Sequence, residues 1–330
     1  GALAAGNPAA IKPSERAPAT SALLARLVPL YLDPDAVRVI EGGAAVAEAL
    51  LAEPWGLVFF TGSTRIGRKV AEAAGRTLSP VVLELGGKNP AIVAPDADIE
   101  LAARRIAWGK LLNAGQTCVA PDHVLIAPGQ LAAFTAAYRD ALRGMLGKDP
   151  QKSADYGRLV DRAQFDRLAA MLSEGEIAQG GRTDADELYI EPTLLTGLPE
   201  GAAALEEEVF GPILPLVEVD GIDAALARVN RGDTPLAVYL FSSDKAVQAR
   251  VTQETRSGAV VLNDVVIHLS SSDLPFGGVG ASGIGAYHGK TGFDTFSHLK
   301  PVLKKTLWPD PRLRYPPYSE RKRRWLRRIT

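Results

Sequence analysis

The 330 residues carry 37 Lys and Arg against 38 Asp and Glu, and 46% are hydrophobic, 23% charged and 6% aromatic. These values exclude a disordered, collagen-like or coiled-coil chain and leave one large or two moderate domains. The net charge of −1 argues against a dedicated nucleic-acid binder, and no apolar run reaches the length of a membrane-spanning helix.

Gly1 to Asn7 has no initiator Met, no basic region and no signal-peptide pattern, so it reads as the middle of a longer sequence. Short apolar runs then alternate with helical spacing. Ala9 to Lys12, Val37 to Ile40, Leu57 to Phe60 and Val81 to Leu85 predict strands, and Ser21 to Leu32, Ala44 to Ala52 and Ile66 to Gly75 predict helices. Such alternation implies right-handed crossovers and a doubly wound parallel sheet. Asp98 to Leu112 predicts a helix capped by Asp96 or Asp98 that ends at Asn113-Ala114-Gly115. A strand at His123 to Ala127 follows. Helices at Leu131 to Leu146, Ala163 to Ser173 and Ala224 to Asn230, with strands at Ile213 to Val219, Ala237 to Phe241 and Ala259 to Asn263, make a second α/β unit. Glycine crowds Leu274 to Gly292 and proline Pro309 to Pro317, which predicts a loop and then an extended arm. Residues 312 to 330 hold eight Arg or Lys against Glu320, a tail of +7 on a body of −8. With Trp325, Leu326 and Ile329 interleaved, a solvated helix or subunit contact is the preferred reading, and contact with an anionic membrane surface the less favoured one.

Two glycine motifs need separating from chance. Gly62-Ser63-Thr64-Arg65-Ile66-Gly67 follows a strand and opens a helix, where backbone N–H groups meet phosphates, but Arg68-Lys69-Val70 follow where a Walker loop needs Lys and then Ser or Thr. Gly278-Val279-Gly280-Ala281-Ser282-Gly283 matches the dinucleotide pattern literally, yet no strand precedes it, and the match is rejected. One cysteine excludes an intrachain disulfide, so Cys118 is either a small buried hydrophobe or a reactive thiol. Its place in a helix-to-strand loop after Gly115-Gln116-Thr117 favours the thiol. Four scattered histidines form no ligand set, and no metal site is expected.

Glu84-Leu85-Gly86-Gly87-Lys88, followed 34 positions later by Cys118 of Gly115-Gln116-Thr117-Cys118, resembles the aldehyde dehydrogenase superfamily. Lys12-Pro13-Ser14-Glu15, Phe60-Thr61-Gly62-Ser63, Glu207-Glu208-Val209-Phe210-Gly211-Pro212 and Leu274-Pro275-Phe276-Gly277-Gly278-Val279-Gly280 agree in order. Cys118-Val119-Ala120-Pro121-Asp122, Tyr287-His288-Gly289-Lys290 and Tyr315-Pro316-Pro317-Tyr318 are similar to its class 3 branch, dimeric enzymes of medium- and long-chain or aromatic aldehydes. The resemblance implies an incomplete cofactor domain over residues 1–85, a catalytic α/β domain over 86–272, and a glycine-rich loop, oligomerisation arm and basic tail over 273–330. It implies Cys118 as nucleophile and Glu84 as the base that activates water, with NAD, or NADP, as hydride acceptor. Lys12 and Glu15 would hold the adenosine ribose, Gly62, Ser63 and Gly67 the pyrophosphate, and Glu208, otherwise a second base, the nicotinamide ribose with Phe210 packed beside the ring; Leu85 is a further cofactor-binding residue. Asn263 is either a pocket residue or a turn cap.

Family members also carry a Pro-Trp-Asn segment whose asparagine shares the oxyanion hole, and nothing in residues 1–330 matches it. A missing oxyanion donor costs on the order of 10²- to 10³-fold in rate, so the chain by itself is expected to be impaired. A cofactor-independent thioester or ester hydrolase using Cys118, and a non-catalytic dimerising remnant, remain as alternatives. Cytoplasm is the default expectation for a chain with an unpaired thiol.

Overall fold

In a computed structural model the described residues are 1–328, so Ile329 of the predicted basic helix lies outside them. The chain forms two compact units, residues 1–297 and 298–330.

The first unit opens with β1 (Ala9–Ile11), α1 (Pro18–Tyr31), β2 (Val37–Val39), α2 (Ala44–Leu51), β3 (Val58–Gly62), α3 (Thr64–Arg76) and β4 (Val81–Leu85). β1 and β2 pair in parallel as a two-stranded sheet, and β3 and β4 pair in parallel in another. Strand and helix alternate as the apolar runs predict. Ser63 caps α3 by accepting from the Ile66 amide at 3.4 Å. The helix seats on β4 because Gly67 has no side chain: a Cβ there would lie 2.5 Å from Leu85.

Next come β5 (Pro90–Val93), α4 (Ile99–Leu111), β6 (His123–Ile126), α5 (Leu131–Leu146), α6 (Arg162–Met171), β7 (Glu176–Gln179), β8 (Thr183–Asp184), β9 (Tyr189–Ile190) and β10 (Thr193–Thr196). They continue into α7 (Ala203–Glu206), β11 (Ile213–Glu218), α8 (Gly221–Arg231), β12 (Ala237–Phe241), α9 (Lys245–Glu254), β13 (Ala259–Leu262), β14 (Gly283–Ile284) and α10 (Gly289–Thr295). A seven-stranded sheet runs in the order β13-β12-β5-β6-β11-β10-β7. Its central strands are buried on both faces, as a parallel sheet between helical layers must be. Asp98 caps α4 by accepting from the Leu101 amide at 3.0 Å. α5 packs beside α4, burying Phe134, Tyr138 and Leu142 at four-residue spacing.

Several expectations are corrected. The sheets are mixed: β7 pairs antiparallel to β10, and β14 antiparallel to β4. The glycine-rich stretch Leu274 to Gly292 is no plain loop, since it holds β14 and the start of α10. Gly283 pairs with Glu84, so residues 273–297 return to the first unit and the expected third segment is parted after Ser297. β5, α9, β7 and β10 were not anticipated. β5 is four buried residues opening on a proline, too short to show a period.

The second unit holds a short helix, α11 (Glu320–Leu326), capped by Ser319. The Tyr315 hydroxyl donates to Asp310 at 2.8 Å. Leu299, Val302, Leu303, Leu307 and Trp308 are all largely exposed.

Candidate active site

Alternation along β4 decides which side chains meet. Leu83 and Leu85 point into the cluster under α3, while Glu84 points away from it. Leu85 is accordingly packed against Gly67 and contributes to the wall of a cavity of about 270 Å³ with Thr64, Arg68, Ala71 and Ala281.

Cys118 comes to the Glu84 side of β4 from the turn after α4. Asn113, Ala114 and Gly115 all adopt left-handed φ (51°, 53° and 76°), which stops the helix and reverses the chain. Only glycine fits the third position, because a Cβ would lie 2.2 Å from the Gly211 carbonyl. Gln116 is a strut rather than a reactive group: it donates to the carbonyls of Asn113 and Arg158 and accepts from the Val160 amide. Beyond it, Asn89 Nδ2 donates to the carbonyls of Cys118 at 2.7 Å and Ala120 at 3.2 Å. Its Oδ1 accepts from the Ala237 amide of β12 at 2.9 Å.

The structure brings Cys118 and Glu84 together. Glu84 is 2% exposed, and its Oε1 has no hydrogen-bond partner. Burial pushes its carboxyl above the usual range, while hydrogen bonds from the Cys118 thiol and the Thr61 hydroxyl pull the other way. Burial, then the Glu84 and Glu208 carboxyls, push the thiol well up. Both groups therefore hold a proton more tightly than an ordinary thiol or carboxyl does.

Glu208 lies on the far side of Gly86-Gly87. Its Oε1 accepts from the Gly87 amide at 3.3 Å, and a Cβ on Gly86 would meet its Oε2 at 2.0 Å. Burial, then the Asp122 carboxylate, push Glu208 up to about 7. Its loop is held from three sides. Lys88 donates to the carbonyls of Ala204 and Glu207 at 2.8 and 2.9 Å, Arg167 donates to those of Glu208 and Val209, and Gln164 donates to that of Phe210. Phe210 itself is 37% exposed with a left-handed φ of 48°.

Beneath this loop lies a buried charge cluster. Lys88 pairs with Asp122, which also accepts from the Val209 amide at 2.8 Å. Burial would raise Asp122, but Lys88 and then Lys110 outweigh it and hold the carboxyl low. Lys110, 1% exposed on α4, is pushed down to about 8 by burial.

The remaining expected cofactor residues stand in the first sheets. Lys12 pairs with Glu15 at 2.7 Å, and that bond holds Glu15 below its usual value. Gly62 and Ser63 stand where β3 passes into α3; a Cβ on Gly62 would strike the Phe60 ring at 2.6 Å. Asn263 bridges β12 and β13, its amide accepting from and donating to the Ser242 backbone at 2.9 and 3.0 Å. Among the described residues no group of three His, Cys, Asp or Glu is arranged to hold a metal ion.

Sequence reading passed over Asn89, although it follows Lys88 directly. Its partners lie 29 and 148 positions away, so no local signal marks it.

The model of the Aldehyde dehydrogenase family matches residues 1–302. Aldehyde dehydrogenase family 3 member A2 of Rattus norvegicus is 44% identical over 327 residues, covering 98% of this chain and 68% of the relative. The dimeric NADP-preferring aldehyde dehydrogenase of Canis lupus familiaris is 44% identical over 319 residues, 96% of this chain and 70% of the relative. Among solved structures, the substrate-bound AldH of Staphylococcus aureus superposes with a TM-score of 0.94 at 42% identity, covering 99% of this chain and 72% of that one.

Proposed function

The chain belongs to the aldehyde dehydrogenase family, and from that premise we propose that it oxidises an aldehyde to a carboxylate with Cys118 as nucleophile and Glu84 as base. The observation that carries this reading is the only thiol of the chain set against a buried carboxyl with one free oxygen.

An aldehyde hydrogen leaves as hydride only after electrons are pushed into its carbon. Cys118 gives its proton to Glu84, and Sγ bonds to the carbonyl carbon, whose π electrons move to oxygen. The alkoxide can re-form its double bond only by expelling hydride; NAD or NADP, held by the cofactor residues named below, would supply the two-electron acceptor, and a thioester would remain on Sγ. With its proton lost to solvent, Glu84 takes one from water, whose oxygen bonds to the thioester carbon while the C–S bond breaks. The departing Sγ takes the proton back from Glu84, which restores Cys118, and the carboxylic acid gives its proton to solvent as it leaves as carboxylate.

Glu15 stays ionised beside Lys12, which supports ribose binding and a preference for NAD over a 2′-phosphorylated cofactor. Gly62, Ser63 and Gly67 line the pyrophosphate side; Glu208 and Phe210 flank the nicotinamide side, with Leu85 as the packed floor beneath. Medium- or long-chain apolar aldehydes are the proposed substrates. The exposed apolar residues 299–308 support pairing of two copies through the second unit, and cytoplasm is the proposed location.

Incubating the protein with an aliphatic aldehyde and NAD, and following NADH absorbance, tests the reading. Turnover that Cys118→Ser abolishes is expected. Ester hydrolysis independent of NAD, without aldehyde oxidation, would instead establish the hydrolase. Residues 1–330 alone are proposed to be slow, because no residue among them matches the oxyanion asparagine; turnover within about tenfold of a relative refutes that part.

A further inference from the structure

Cys118 sits in a loop whose three successive carbonyls are each taken by a side chain. Asn89 holds those of Cys118 and Ala120, and the hydroxyl of Tyr239 donates to that of Val119. Tyr239 is fully buried on β12, 0% exposed, two residues from the Ala237 amide that anchors Asn89. β12 therefore presents both holds on the nucleophile loop.

The phenol oxygen has a second neighbour. The Val266 backbone amide faces it from the segment after β13 and partly offsets the rise that burial imposes on the phenol. Val266 adopts φ 64° and ψ −39°, and the Ile267 amide donates to the Val265 carbonyl at 2.6 Å, a tight turn in the left-handed region that a β-branched residue rarely enters. Such strain persists only where surrounding structure imposes it. The turn leads to His268, whose ring lies 6.2 Å from Tyr239 and 5.7 Å from Phe276. From Phe276 the rings continue to Tyr287, whose hydroxyl feels the charges of Glu84 and Cys118.

We propose that Tyr239 is a positioning residue for the nucleophile: its hydroxyl ties the Val119 carbonyl to β12, beside the strained turn at Val266, and so keeps the Cys118 thiol against Glu84. The proposal deepens the reading of Cys118 and Glu84 given above and rests on it. A phenol offers one donor and an acceptor oxygen, which matches the two backbone groups that face it. Phenylalanine keeps the ring and leaves both groups unpaired, freeing the loop while the core stays filled.

The test uses the fact that Cys118 is the only cysteine, so alkylation by iodoacetamide reports on it alone. In Tyr239→Phe the thiol drifts from the Glu84 carboxyl, so alkylation at neutral pH is expected to rise at least threefold and its pH midpoint to fall. Aldehyde turnover should drop about tenfold with the KM for NAD unchanged. Tyr138→Phe is the control: Tyr138 is as deeply buried, but its hydroxyl has no partner, and this variant should alkylate like the unaltered chain. An unchanged or slower alkylation in Tyr239→Phe, or an equal change in Tyr138→Phe, overturns the proposal. Because alkylation requires no dehydrogenase activity, this outcome is separable from failure of the proposed function. If Tyr239→Phe does not fold, proton NMR of the unaltered chain decides: a slowly exchanging Tyr239 hydroxyl with a cross-peak to the Val119–Ala120 segment supports the tie, and its absence overturns it.

Discussion

Lys88→Met gives a demanding test of the charge cluster under the Glu208 loop. The substitution keeps most of the side-chain volume but removes the ammonium, whose side chain is 17% exposed, from an Asp122 that is 3% exposed. Breaking a buried pair by removing one partner costs about 3–5 kcal/mol, because the surviving charge has lost its compensation. Lys110 stays beside Asp122 and the Val209 amide still donates to it, which places the expected loss near the lower end, about 3 kcal/mol. An unfolding entropy of about 2 cal/mol/K per residue converts this to a drop in Tm of about 5 °C for a chain of this length. The pH dependence fixes the cause. Asp122 has a depressed folded-state pKa, so its contribution is present above the unfolded value of about 3.9 and is lost as pH falls through the folded one. The gap between the native chain and Lys88→Met should therefore be full at about pH 7 to 8 and narrow as the pH falls below about 3.9, in thermal or urea unfolding. A Tm shift below about 1 °C at about pH 7, or a gap as wide at about pH 2 as at about pH 8, refutes the reasoning.

Glu84→Gln should slow both the first burst of NADH and steady turnover, by about 10²- to 10⁴-fold, which rapid mixing followed by acid quench and mass detection of an acyl-Cys118 would register. The same substitution should help the fold at alkaline pH. Glu84 has a raised folded-state pKa, so its contribution to stability is present below the unfolded value of about 4.3 and lost as pH rises through the folded value; Glu84→Gln escapes that loss, and equal relative stability at acid and alkaline pH would contradict it. The raised pKa also moves the acid limb of turnover above the ordinary glutamate range, visible in a kcat profile against pH and removed in Glu84→Gln. Gly115→Ala is expected to destabilise by more than about 2 kcal/mol, since a left-handed φ of 76° and a carbonyl 2.2 Å from the new Cβ act together; urea unfolding within about 0.5 kcal/mol of the native chain would refute this.

The residues proposed to bear the chemistry stand out in the sequence because each carries its own local mark. Cys118 follows a helix stop, Glu84 closes an apolar strand, and Ser63 stands between a strand and a helix. What was not readable depends on partners far apart in sequence. Asn89 and Tyr239 act on the Cys118 loop from 29 and 120 positions away, and neither residue type is unusual in its own segment. The turn of Asn113 and Ala114 was expected as a helix end, but consecutive left-handed φ values belong to the packing of Gly115 on Gly211, not to alanine's own preference. β14 is two residues long, and only its register with β4 makes it a strand.

That register has a bearing on how the protein is made. The strand carrying Glu84 has β3 on one side early in synthesis, but its other neighbour is Gly283, roughly two hundred residues later. During translation the base therefore sits on an open strand edge while Cys118 and most of the seven-stranded sheet are already emerging. A chain halted before Gly283 has the proposed nucleophile and base both present and the strand that carries Glu84 still open on one edge, which makes this interval the one in which a chaperone that covers sheet edges has most to protect.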